Sequence, residues 1–189
     1  MNQANEMPNG TLSDRNRLSV PPSQRDHIQG ALNDPIVLVE YGDYQCPDCG
    51  EVHRMIKAIQ QQLGNHLCFI FRHFPQTQIH PQAQKAAEAT EAATAQGQFW
   101  QMHDTLFEHQ QALDNGYLVE YANNLGLDIP QFLQAMWRHV YADRVNEDIE
   151  SGLRSGVTTT PTLFINGIRY NDAWNVESLL AAIARIENS

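Results

Sequence analysis

The sequence contains few cysteines and few basic residues, and it lacks a long apolar run. Its 189 residues include three cysteines, too few for the disulfide framework of a small secreted protein. Lysine and arginine number 12 against 22 acidic residues, so the formal net charge is −10. Nucleic acids and anionic membranes should repel such a chain. No segment approaches the ~20 consecutive apolar residues of a membrane helix, and we therefore expect no membrane insertion.

The first 25 residues also lack the apolar core of a signal peptide. They are polar, with Asn, Gln, Ser and Pro prominent, which predicts a flexible tail. We accordingly expect a cytoplasmic protein. Residues 26–189 have the size of one domain. With 42% hydrophobic residues, the chain can build a core without disulfide bonds.

The chain is organised around Cys46 and Cys49. A short β-branched run at residues 36–39 precedes them and predicts a buried strand. Pro47 suits the first position of a helix, which makes Cys46 the N-cap. There its sulfur would face unpaired backbone N–H groups, which favour the thiolate. Apolar residues then recur at spacings of three and four, as on one face of an amphipathic helix: Val52, Met55, Ile56, Ile59 and Leu63.

Three interpretations of this cysteine pair compete: buried inert thiols, half of a zinc site, and a redox-active dithiol. Zinc needs two further ligands, and the only other cysteine, Cys68, alternates with core residues and fits a small buried hydrophobe. His53 could lie near Cys49, but no second pair of ligands is spaced for zinc. Covalent haem attachment needs His at position 50, which is Gly. The redox dithiol, which requires no metal or organic cofactor, is the strongest interpretation.

The remaining pattern predicts an α/β sheet interrupted by a helical insertion at about residues 76–155. A second strand is expected at 66–71, and a long Ala-rich helical region opens at Pro81. Within that region Asn115-Gly116 has the composition of a turn, and we expect His103 and His109 at the core edge or surface. Asn166-Gly167 between apolar runs indicates a hairpin, and a final helix follows.

Four segments together resemble the DsbA-like branch of the thioredoxin superfamily of thiol–disulfide oxidoreductases. They are Asp26–Gly30, Val39–Cys49, the discontinuous set Phe71–Pro75, Ala86-Ala87 and Gln96–His103, and Ser155–Gly167. The resemblance covers roughly residues 26–187. It implies a thioredoxin-like fold with an all-helical insertion.

The resemblance also implies roles for individual residues. Cys46 would be the attacking cysteine and Cys49 the resolving one, and Thr160–Pro161 would be a cis bond packed against the dithiol. Glu40 occupies the place of a buried acid beneath the dithiol. Burial raises the pKa of a carboxyl group and suits it to accept the Cys49 proton. The alternative for Glu40 is a surface charge at the end of a strand.

Asp48 departs from the family pattern, because the strongly oxidising periplasmic enzymes have His at this place. We expect Pro47 and Asp48 to tune the active site. The helix N-terminus stabilises the Cys46 thiolate, whereas the negative charge of Asp48 opposes it. A less stabilised thiolate makes a weaker oxidant.

The expected function is thiol–disulfide exchange with protein disulfides or dithiols, supported by an unidentified redox partner. We expect a monomer. Two alternatives remain at this stage. In one, the groove beside Thr160–Pro161 binds extended peptides, as in a chaperone-like module, and the cysteines merely staple the domain. In the other, the chain is a redox sensor that signals through a partner protein.

Overall fold

The computed structural model describes residues 16–187, and their strands form one five-stranded sheet in the order β1-β3-β2-β4-β5. In this described part of the chain, seven helices and a 3-10 turn at Gly64–His66 accompany the sheet. The strands are β1 His27–Gln29, β2 Ile36–Gly42, β3 Leu67–His73, β4 Thr162–Ile165 and β5 Ile168–Arg169. The helices are α1 Pro47–Leu63, α2 Ala83–Thr94, α3 Phe99–Glu108, α4 Asn115–Asn124, α5 Ile129–Trp137, α6 Ala142–Arg154 and α7 Val176–Glu187.

Strands β2 and β3, in the interior of the sheet, are buried on both faces, which explains their nearly continuous apolar sequences. β2 and β3 run parallel, from the pair Ile36–Leu67 to the pair Gly42–His73. β4 pairs antiparallel with β2 on its other side. Along β3 the side chains alternate as predicted: Phe69 and its neighbours two residues away join the main core with α1, whereas Cys68 joins a second core across the sheet.

Helices α2 to α6 lie between β3 and β4, so the all-helical insertion is present. The turn predicted at Asn115-Gly116 is wrong, because Asn115 begins α4. Asp114 is the N-cap, and its side chain accepts hydrogen bonds from the N–H groups of Gly116 and Tyr117. An Asn-Gly pair that follows a capping Asp can therefore enter a helix instead of a hairpin.

His103 also differs from its predicted place at the core edge or surface. Its side chain is 2% exposed, and its Nδ1 lies 2.9 Å from the Tyr44 hydroxyl. Burial lowers the pKa of His103 well below its usual value, so the ring is neutral. A neutral, hydrogen-bonded imidazole is compatible with the core, whereas a charged one is not.

The predicted tail of residues 1–25 falls partly outside the described residues, which begin at 16. The segment after that point packs on the domain. The Leu18 N–H donates to the Gly167 carbonyl at 2.9 Å, and the Ser19 hydroxyl donates to the Arg154 carbonyl at 2.6 Å. The Arg72 guanidinium binds the Val20 carbonyl at 2.9 Å. The boundary predicted at residue 26 is therefore too late for this part of the chain.

Candidate active site

The two cysteines lie where β2 gives way to α1. Cys46 is the N-cap, as predicted, and Pro47 opens the helix. Both thiols are free and buried; Cys46 is 5% exposed and Cys49 is fully enclosed. The N–H groups of Asp48 and Cys49 form no capping hydrogen bond with the neutral Cys46 thiol, but they stabilise its thiolate.

The surroundings drive the pKa values of the two thiols in opposite directions. A hydrogen bond from the Cys49 side chain, helped by the Thr160 side chain and two backbone N–H groups, outweighs burial and lowers the pKa of Cys46 to about 6. Burial, and next its bond to Cys46, raise the pKa of Cys49 well above its usual value. At neutral pH the arrangement therefore supplies one thiolate, on Cys46, with a protonated thiol beside it.

Glu40 lies on β2 beneath the dithiol and is 1% exposed. The alternative of a surface charge at a strand end is therefore wrong. Burial, followed by the negative charge of Cys46, raises the pKa of Glu40 to about 8. Its Oε1 has no hydrogen-bond partner among the described residues, which agrees with a carboxyl group that is neutral for much of the time.

The loop before β4 approaches Cys46 from the opposite side. Its Thr160–Pro161 bond is cis, and the Cys46 thiol donates to the Thr160 carbonyl at 3.5 Å. A groove of about 560 Å³ runs past this point. Apolar side chains from α1, the loop and the start of α7 form much of its wall: Val52, Met55, Pro161, Trp174 and Val176.

Pro47 and Asp48 occupy the first turn of α1, and both are exposed. Asp48 also lines the groove. Because solvent surrounds its carboxylate, its repulsion of the Cys46 thiolate is screened. The largest effects on Cys46 come from Cys49, burial and hydrogen bonds.

Two glutamines that the sequence did not single out hold the active-site backbone. Gln110, just after α3, donates from Nε2 to the carbonyls of Cys46 and Tyr44, at 2.7 and 3.0 Å. A Cβ on Gly50 would overlap the end of the Gln110 side chain, so a larger residue there would force the Gln110 amide to move. Gln76, after β3, bonds to Thr160. Amides in loops follow no periodic pattern, so sequence spacing gives no signal for them.

The structure does not favour zinc at the dithiol. Cys68, the third cysteine, lies in the core on the other side of the sheet from Cys46 and Cys49. His53 directs its Nε2 to Asp104 at 2.9 Å. Neither residue therefore completes a tetrahedral site with the cysteine pair.

Two other buried clusters contain side chains of the types that bind metals. In the first, the ring Nε2 atoms of His27 and His73 lie 2.7 and 2.9 Å from one Glu91 oxygen. These hydrogen bonds already pair the carboxylate and tie β1 and β3 to α2. The second cluster similarly joins α1 to α3 through His53, His103 and Asp104.

Comparison with known proteins identifies the family. The family model described as thioredoxin matches residues 23–185. One curated relative, the Na(+)/H(+) antiporter NhaA 1 of Salinispora arenicola, is 42% identical over 159 residues, which are 84% of this chain but 24% of the antiporter. The chain thus spans about a quarter of that relative. Within residues 16–187, no helix has the length and apolar character needed to cross a bilayer.

Solved structures show the same fold at lower identity. Oxidised BdbD from Bacillus subtilis superposes with a TM-score of 0.80 and 21% identity, covering 92% of this chain and all of BdbD. For Wolbachia pipientis alpha-DsbA1 the TM-score is 0.77 with 21% identity, covering 88% of this chain and 93% of that one. The chain belongs to the thioredoxin superfamily, and its fold is that of the DsbA-type proteins.

Proposed function

We propose that the protein is a thiol–disulfide oxidoreductase that acts on protein disulfides or dithiols through Cys46 and Cys49. The observation that carries this proposal is the geometry of two free cysteines at a helix N-terminus. Cys46 is the N-cap of α1 and contacts the Thr160 carbonyl at 3.5 Å, and Cys49 is fully enclosed one turn later. These surroundings lower the pKa of Cys46 and raise that of Cys49. A structural pair of thiols would need no such difference in acidity. An enzyme that attacks with one sulfur and resolves with the other requires it.

In the reductive direction, the Cys46 thiolate attacks one sulfur of a substrate disulfide. A bond forms between Cys46 and that sulfur, the substrate bond breaks, and the other substrate sulfur leaves as a thiolate. Cys49 then loses its proton and attacks the Cys46 sulfur. The internal disulfide forms, the mixed disulfide breaks, and the substrate is released with both sulfurs reduced. The reverse sequence oxidises a substrate dithiol.

Glu40 can delay the deprotonation of Cys49 until the mixed disulfide has formed. While Cys46 is a thiolate, its charge helps to raise the pKa of Glu40, and Glu40 in turn raises that of Cys49. The mixed disulfide removes the charge on Cys46. The pKa of Glu40 then falls, a larger fraction of it ionises, and the carboxylate can accept the Cys49 proton. Cys49 is thereby activated only after the substrate is bound covalently.

The apolar groove beside Thr160–Pro161 supports an extended polypeptide as the substrate. Asp48 and Pro161 line the groove, so a chain bound there would pass close to Cys46 and Thr160. Its largely apolar walls suit apolar side chains next to the substrate cysteine. A small disulfide would leave most of this groove empty.

Reduction of insulin by dithiothreitol tests the proposal. The protein should accelerate the reaction, Cys46→Ser should abolish the acceleration, and the matched Cys68→Ser should retain most of it. Full activity in Cys46→Ser would overturn the assignment. Peptide binding without turnover would indicate the chaperone-like module instead, and a reversible disulfide with slow turnover of general substrates would indicate a sensor.

A further inference from the structure

Gln76 lies against the loop that contacts Cys46 and is fixed at both ends. Its backbone N–H donates to the buried Asp43 carboxylate at 2.9 Å. Its side-chain Oε1 accepts from the Thr160 N–H at 3.2 Å and from the Thr160 hydroxyl at 2.9 Å. Its Nε2 donates to the Thr158 carbonyl at 3.4 Å. The amide is thus held in one orientation, with its oxygen toward Thr160.

Thr160 contacts both Gln76 and Cys46. Its hydroxyl donates to Gln76 Oε1 at 2.9 Å, and its carbonyl accepts from the Cys46 thiol at 3.5 Å. The Thr160 side chain also helps to lower the pKa of Cys46, which makes the ionised sulfur a second acceptor for the hydroxyl. A hydroxyl donates a single hydrogen bond, so the two acceptors compete. Each hydrogen bond that Thr160 makes to Gln76 is one that it does not make to the thiolate.

We propose that Gln76 is a positioning residue that limits the acidity of Cys46 by drawing the Thr160 hydroxyl away from the sulfur. This inference deepens the proposed function, because it concerns the reactivity of the same attacking cysteine. Gln76 touches neither sulfur, and it acts through Thr160. It also occupies the Thr160 N–H, so a substrate strand that pairs with this group must displace the amide oxygen. Displacement frees the hydroxyl to turn toward Cys46.

The test is an ultraviolet titration of the Cys46 thiolate in the reduced protein. Gln76→Met keeps the side-chain length but removes the competing acceptor. The ratio of thiolate to thiol at fixed pH should rise about threefold, the scale of a weak net hydrogen bond. Gln76→Glu should lower the ratio, because a carboxylate is a stronger acceptor and its negative charge also opposes the thiolate. Gln78→Met, the same change at an exposed position two residues away, should leave the ratio as it is.

A second pair of variants separates competition from a loosened loop. Thr160→Val removes the hydroxyl and keeps the branched shape, so by itself it should lower the thiolate ratio. Adding Gln76→Met to that background should then change nothing, since the contested proton is gone. Circular dichroism and urea denaturation establish that each variant is folded. If Thr160→Val does not fold, Thr160→Ala, which also removes the hydroxyl, replaces it as the background for Gln76→Met.

The inference is overturned if Gln76→Met leaves the thiolate ratio unchanged or lowers it, or if the shift is as large with Thr160→Val as without it. These titrations need no substrate, so they are independent of insulin reduction. Unchanged titrations in an active enzyme would reject the role of Gln76 alone. The expected titrations in a protein that reduces no disulfide would reject the proposed function alone.

Discussion

Replacement of Glu40 by Gln should change how the stability of the reduced protein depends on pH. Burial, and then the charge of Cys46, raise the pKa of Glu40 from 4.5 to about 8. The folded state therefore binds this proton more tightly than the unfolded state. The resulting stabilisation is complete below the unfolded pKa of 4.5 and is lost as the pH rises to about 8. Within that window each pH unit removes about 1.4 kcal/mol.

Gln cannot ionise, so this loss is absent from the variant. Cys46 has the opposite sign: its pKa is lowered from 9.0 to about 6, and its contribution grows as the pH rises between these values. Both proteins share that contribution, so it largely cancels in their difference. Between about pH 5.5 and about pH 7.5, the free energy of unfolding of Glu40→Gln should rise relative to wild type by about 2.7 kcal/mol.

Urea denaturation in the presence of a reductant, at both pH values, measures this change directly. Glu108→Gln provides a matched control, because Glu108 is exposed at the end of α3 and should show no comparable trend. A difference between Glu40→Gln and wild type that is constant across the two pH values would refute the raised pKa of Glu40. It would also remove the basis for Glu40 as the acceptor of the Cys49 proton.

Three further predictions concern the surroundings of the dithiol. The rate of alkylation of Cys46 by iodoacetamide should increase with pH through a midpoint near 6, because only the thiolate reacts. A midpoint at the ordinary pKa of 9.0 would contradict thiolate stabilisation. Gly50→Ala should slow insulin reduction, because the added Cβ displaces the Gln110 amide from the Cys46 carbonyl. Gln110→Ala removes the same hydrogen bond and should slow the reaction to a similar extent. Combining it with Gly50→Ala should cause little further loss, whereas wild-type activity in Gly50→Ala alone would show that this contact is dispensable. Asp48→His should raise the reduction potential by up to ~30 mV, the equivalent of about one pKa unit in this couple, since it removes a negative charge near the thiolate; an unchanged potential in glutathione equilibration would mean that solvent screens Asp48 completely.

The sequence predicted the elements that depend on local pattern. The apolar run that begins at Ile36 predicted a buried strand, and the spacing after Cys49 predicted a helix with one buried side; the structure has both. Pro47 located the start of that helix. Gly64 ends it with a positive φ of 52°, a conformation that glycine adopts readily.

The parts that it missed depend on contacts between residues distant in the chain. His103 was placed at the edge of the core because imidazole is polar, but the Tyr44 hydroxyl makes its burial possible. Gln76 and Gln110 reach the active site from loops, where neither periodicity nor spacing marks a functional amide. The packed segment near Leu18 was assigned to a tail because its composition is polar, although its backbone bonds to the β4–β5 turn.

Trapping of the mixed disulfide tests the central claim most directly. Two variants, each lacking one of the two active-site cysteines, would be incubated in reduced form with a disulfide-containing peptide. The adducts would then be mapped by mass spectrometry. Cys49→Ser should accumulate a covalent adduct exclusively on Cys46, because attack proceeds and resolution cannot. Cys46→Ser should form little adduct at neutral pH, since the remaining Cys49 thiol is buried and its pKa is raised. An adduct that forms equally fast on Cys49, or none on Cys46, would contradict the assignment of Cys46 as the attacking sulfur.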